Sequence, residues 1–191
     1  MKKILPLIVI IGFVVVIGLW AIGSYNGFVT AKGNVDRQWA QVETQYQRRV
    51  DLVPNLVGTV KGAANFEQDT FREVTEARNA WAQAKTVGDR GQEIQAASGF
   101  DSALSRLLVT VEAYPQLQAT QAFRDLMTQL EGTENRISVA RKDYNDAVFS
   151  YNVRVQRFPG KFAAMIFGFT SEKSFEAAPG SDVAPVVDFT K

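Results

Sequence analysis

The sequence predicts an all-α protein: an N-terminal transmembrane helix, an antiparallel helical bundle with long kinked helices, then a short C-terminal helix and an extended tail. Three observations predict it. Ile4 to Gly23 is an uncharged apolar run. Apolar residues then recur at threes and fours through most of the chain, as in helices packed along seams. Strand alternation is not sustained anywhere before the C-terminal tail. The organisation is a flank at 1–3, an anchor at 4–23, a bundle at 27–169 and a tail at 170–191.

The anchor comes first. About twenty residues at ~1.5 Å rise give roughly 30 Å, the thickness of a bilayer core. Ile4, Phe13 and Trp20 mark its start, middle and end, and Trp20 and Tyr25 stand where interfacial aromatics anchor. Pro6 falls in the first turn, where its missing N–H costs little. A cleaved signal peptide is the rival, but the run exceeds the ~7–15 residues of a usual signal core. The reading is a single-pass protein of a bacterial inner membrane. Lys2 and Lys3 precede the span and Lys32 and Arg37 follow it, so charge leans only slightly toward an extracytoplasmic bundle.

The first bundle run reaches from near Ala31 to near Lys85 and reads as one kinked rod. One stripe is Trp39, Tyr46, Val53, Val60, Val74 and Trp81, and a second is Val35, Val42, Leu56, Ala63, Ala77 and Ala84. Pro54 removes a ladder hydrogen bond, which predicts the kink or a restart capped by Asp51. Gly58 and Gly62 allow a close helix approach. KTVGDRGQE, residues 85–93, is the linker. A second helix follows from about Gln92 to Tyr114, with Phe100, Leu104, Leu107, Leu108, Val111 and Tyr114 inward and Pro115 as its stop. The third run starts at Thr120, a natural N-cap, and ends at Phe158 before Pro159 and Gly160. Its stripes are Phe123, Leu130, Ile137, Tyr144, Tyr151 and Phe158, beside Leu126, Thr133, Ala140 and Ala147. KFAAMIFGF, residues 161–169, is too short to span a bilayer. That piece and the tail, with Phe175, Val187 and Phe189, are expected to fold back on the bundle, with a second membrane contact or a partner site as the alternative.

These residues carry a resemblance. WAQVETQYQRR, DLVPNLVGTVKG, VTEARNAWAQA, LLVTVEAYPQLQA, LEGTENRISVARKDYNDAV, SYNVRVQRFPG and the closing FEA resemble the LemA family of bacterial membrane proteins. The likeness extends over nearly the whole chain, anchor included. It implies an N-terminal transmembrane helix with an antiparallel bundle and no established catalytic activity. It also implies a bundle on the cytoplasmic side, against the charge lean, and the two stand side by side.

Chemistry is constrained by what is missing. Histidine and cysteine are both absent, which removes the commonest general base, the commonest transition-metal ligand and all thiol chemistry. The net charge of +1 argues against nucleic acid as a partner. Gly88 and Gly91 lack the strand–loop–helix setting of a phosphate loop. Glu131 and Glu134, joined by Glu67 or Glu112, have the spacing of a carboxylate cation site, but such bundles also draw on a Glu-x-x-His motif. No catalytic residue, cofactor or metal is therefore expected.

Charge pairing explains the polar residues better. Arg49 falls on the apolar stripe, and a buried guanidinium needs a carboxylate. The expected partners are Glu134, Glu131 or Glu112 near the Pro54 kink, helped by Asn55 and Asn135, with Arg48 and Arg136 beside comparable stripes. Trp39, Tyr46, Tyr144 and Tyr151 fill the core, while Trp81 is expected half exposed. The functional reading is a membrane-anchored, non-catalytic scaffold or adaptor that contacts other membrane proteins or a second copy of itself. The alternative is a ligand-sensing bundle that relays through a partner membrane protein.

Overall fold

The structure, a computed structural model, describes residues 5–61 and 68–176. The expected positions at Ile4, Gly62, Ala63 and Glu67, and the tail beyond residue 176, lie outside them. Among the described residues every regular element is a helix: α1 Leu5–Lys61, α2 Gln68–Val87, α3 Arg90–Val111, α4 Pro115–Gln118, α5 Gln121–Gln156 and α6 Gly160–Phe167.

Anchor and bundle share one rod. α1 is 57 residues long, which is roughly 85 Å at helical rise. Its first part is bare, with Phe13 65% and Trp20 39% exposed. From Phe28 onward the same helix buries Val35, Trp39, Val42, Tyr46, Val50, Val53, Leu56 and Val60. That three-four spacing turns one stripe toward the other helices. Its length and composition suffice to cross a membrane.

Pro54 neither ends nor restarts the helix. It sits exposed inside α1, and its missing N–H leaves the carbonyl of Val50, one turn earlier, without its ladder donor. The expected rod from Ala31 to Lys85 is corrected on this point. α1 ends at Lys61, and α2 is a separate helix running back along it. Lys61 lies over the Phe71 ring, Tyr46 packs on Trp81 at 5.1 Å, and Glu43 reaches Lys85 at 4.0 Å. Positions advance on α2 as they recede on α1. Trp81, expected half exposed, is 1% exposed because it meets Tyr46 in the middle of that hairpin.

The remaining links are tight. Gly88 adopts φ 72, a left-handed conformation that glycine takes without a Cβ clash, and Asp89 caps α3 by accepting from the Gln92 N–H at 2.8 Å. The linker is thus two residues, shorter than the 85–93 stretch. Pro115 opens the short α4 as well as following α3. Thr120 caps α5 by accepting from the Phe123 N–H at 3.4 Å. α5 then runs antiparallel to α1, with Trp39 5.1 Å from Tyr144 and Lys32 over Tyr151. α3 runs parallel to α1, since Arg90 meets Asp36 and Asp101 meets Arg49. The four long helices therefore alternate up, down, up, down around a core that includes Leu56, Trp81, Phe100, Leu107, Ile137 and Tyr144.

Phe158 departs from the predicted stripe. It lies beyond the end of α5 and is 78% exposed. The Phe158–Pro159 bond is cis, and a Cβ at Gly160 would stand 2.5 Å from the Arg154 carbonyl oxygen, so the reversal into α6 needs glycine there. α6 lays Ala163 and Ala164 on the bundle. Gly168, at φ 77, then ends it in a left-handed cap, with the Phe169 N–H donating to the Ala164 carbonyl at 2.9 Å.

Candidate functional site

The buried guanidinium of the core gathers polar partners from two other helices. Arg49 is 2% exposed and sits mid-stripe on α1. Its guanidinium donates to Asp101 of α3 at 2.7 Å and also pairs with Glu134 of α5. Asp101 in turn accepts from the Tyr46 hydroxyl at 2.8 Å and from Arg141 at 3.3 Å. One carboxylate thus ties α1, α3 and α5. Burial pushes the Asp101 carboxyl up, against the pull of Tyr46, Arg49 and Arg141 toward the ionised form. Burial first, and then the Asp101 charge, push the Tyr46 phenol well above its ordinary range. Tyr46 is therefore a neutral donor at physiological pH, and its arrangement suits holding helices rather than moving protons.

The other expected members lie elsewhere. Glu112 and Glu131 are exposed and border a separate groove with Arg124 and Gln118. Arg136 is exposed and folds back over Gly132, about one turn before it on α5. Asn55, Asn135 and Arg48 are also exposed. Arg49 draws its second partner from α3 instead, because Asp101 is level with Tyr46 across the bundle. Asp101 had a signal in the sequence. It lies seven residues from both Ile94 and Leu108, on the flank of the α3 stripe.

Glu93 is a buried acid that the pattern carried unread. It continues the spacing of Ala97, Phe100, Leu104 and Leu107, and is 4% exposed. Burial and the neighbouring Glu43 push its carboxyl up, while a hydrogen bond from Trp39 works the other way.

The segment after α6 forms a strap along the groove beside α5. Asn152 donates to the Glu172 carbonyl at 2.9 Å and accepts from the Glu172 N–H at 2.8 Å. Asn145, seven residues earlier, does the same with Phe175, at 3.0 and 2.9 Å. Two side-chain amides thus pair with the strap as a neighbouring β-strand would. Tyr144 donates to the Lys173 carbonyl at 2.6 Å. Glu172 is held between Lys32 and Arg90. Phe175 is buried between Trp39 and Tyr144, with the Arg141 guanidinium 4.3 Å over its ring. Phe149 lies on the same stretch of α5, between those two asparagines in sequence, and is 71% exposed.

Among the described residues no group of three or more His, Cys, Asp or Glu side chains is placed to hold a metal. An open cleft of about 650 Å³ includes Asp101, Arg141, Lys173 and Glu176 on its walls, with Asp101 and Arg141 bound to one another.

The LemA family model matches residues 38–189. The match begins inside α1, past the apolar span, so it is narrower than the likeness read from the sequence. Magnetosome protein MamQ 2 of Paramagnetospirillum magneticum is 29% identical, over 85% of this chain and 68% of its own length. Magnetosome protein MamQ of Magnetospirillum gryphiswaldense gives the same identity and coverage. Protein LemA of Metamycoplasma hominis is 22% identical over 78% of this chain and 68% of its own.

Proposed function

The chain belongs to the LemA family, and from that premise we propose that it is a membrane-anchored, non-catalytic scaffold working through protein–protein contact. The observation that carries this is the continuity of α1. The helix that suffices to cross a bilayer enters the bundle core without a break at Phe28. A bundle so mounted stands off the membrane at a set height, which suits presenting a surface to neighbouring proteins. The strap supplies that surface, with Phe149 and Val153 exposed on α5 beside it. Relatives named as magnetosome proteins support a cellular setting of that kind. Partners on this reading are other membrane proteins, a second copy of the chain among them.

The test is particle mass of the full chain in mild detergent, paired with a thermal-shift screen. Assemblies larger than one chain are expected, with no saturating stabilisation by a small molecule. A single-chain particle whose melting point rises with a saturating dose of one compound would favour the sensing alternative.

A further inference from the structure

α6 leaves half of itself unpaired. Ala163 and Ala164 rest on the bundle, but Phe162 is 53%, Met165 71% and Ile166 74% exposed. Phe158 extends that face, its ring 5.9 Å from that of Phe162. A soluble domain seldom shows water so many large apolar side chains together.

Their height along α1 identifies what covers them. Phe167 of α6 packs on Tyr25 at 5.2 Å, and Phe169 packs on Phe28 at 5.0 Å. Pro159 and Gly160 share a groove with Trp20 and Gly23. The apolar span ends at Gly23. Five residues from there to Phe28 rise only roughly 8 Å, comparable with the ~5–10 Å to which interfacial helices bury themselves. α6 is thus level with the last turn of the span and the layer just outside it. Arg154, Arg157 and Lys161 are exposed at the same end of the bundle.

We propose that α6 is an interfacial foot: its Phe158, Phe162, Met165 and Ile166 face lies in the headgroup–acyl boundary of the bilayer that α1 crosses, with Arg154, Arg157 and Lys161 at the lipid phosphates. This rests on the anchoring role read for α1. The foot gives the bundle a second contact with the membrane beside the emerging helix. Two points of attachment resist rocking, where one helix alone leaves the bundle free to tilt. The basic residues favour anionic headgroups.

The chain has no cysteine, so any introduced one is a unique probe. Full-length Phe13→Cys, Ile166→Cys and Val109→Cys chains, each carrying an environment-sensitive fluorophore, are placed in vesicles of phosphatidylcholine with phosphatidylglycerol. Residues 13, 109 and 166 are all exposed, so the fold is not threatened. The residue 166 probe is expected to shift blue and to be quenched most by nitroxides near the headgroups. Residue 13 is quenched most by nitroxides deep in the chains, and residue 109, near the far end of α3, by neither. Emission from residue 166 matching that from residue 109 overturns the foot. A blue shift there without lipid quenching also overturns it, since protein then covers the face. Loss of quenching at residue 13 instead overturns the anchor, a separate failure.

Discussion

The middle of the bundle and its strap-covered flank both use charge, and they use it differently. In the middle, Arg49 is sealed between three helices and faces carboxylates on two of them. On the flank, Glu172 sits partly exposed between Lys32 and Arg90, and backbone hydrogen bonds to Asn145 and Asn152 hold the segment. A charge sealed in the core has no escape when its partner goes. A charge on a strap can leave with the strap. The first therefore fixes how the helices register, and the second closes a detachable edge.

Breaking the middle should cost most. Arg49→Ala leaves Asp101 without its closest cation, and removing one partner of a buried pair costs ~3–5 kcal/mol. Because Glu134 is largely exposed, the lower end of that range is expected in denaturant melts followed by circular dichroism. Arg49→Met with Asp101→Asn should melt closer to wild type than Arg49→Met alone. A double-variant loss equal to the sum of the losses of Arg49→Met and Asp101→Asn alone would mean that the two side chains are not coupled.

Breaking the flank should cost less and read out locally. Phe175→Ala removes a buried ring, worth ~3–5 kcal/mol in a closed core. Here the loss is bounded by release of the strap, so about 2 kcal/mol is expected. Hydrogen exchange should show the Glu172 and Phe175 amides losing protection while amides of the core helices keep theirs. Global loss of protection would erase the distinction between the two regions. Asn145→Leu and Asn152→Leu should each lower stability by ~1–2 kcal/mol, with the same local signature.

Legibility divides along the same line. Arg49 stood out because it interrupts a heptad stripe, and stripes are legible wherever a helix buries one face. The reversal between α1 and α2 was not. Val60 and Val74 are a multiple of seven apart, so the register continues across a chain that turns back. Periodicity counts residues and is blind to a hairpin whose two legs face one core. The strap has no periodicity at all. Its trace lay in the receiver, where Asn145 and Asn152 are polar, seven apart and on one face of α5. Asp101 was missed because its stripe position is a flank, where a carboxylate is ordinarily solvated.

The smallest effect is one of pH. Burial pushes the Tyr144 phenol up to about 12. The unfolded chain releases that proton near pH 10. Stability from Tyr144 is thus whole below that pH and falls as pH rises through the folded value. Tyr46 shifts the same way. Tyr144→Phe, which also gives up the bond to the Lys173 carbonyl, should flatten the alkaline limb of a melting-point profile. An unchanged limb would place the loss elsewhere.

The claim that the anchored bundle works by contact is tested most directly by its neighbours in the native membrane. A photo-cross-linking residue at position 149, beside the strap, should trap discrete protein adducts, whether a second copy or one recurring membrane protein. The same residue at position 109 should trap far fewer. Position 149 yielding only lipid adducts and uncross-linked chains in intact membranes would contradict the account.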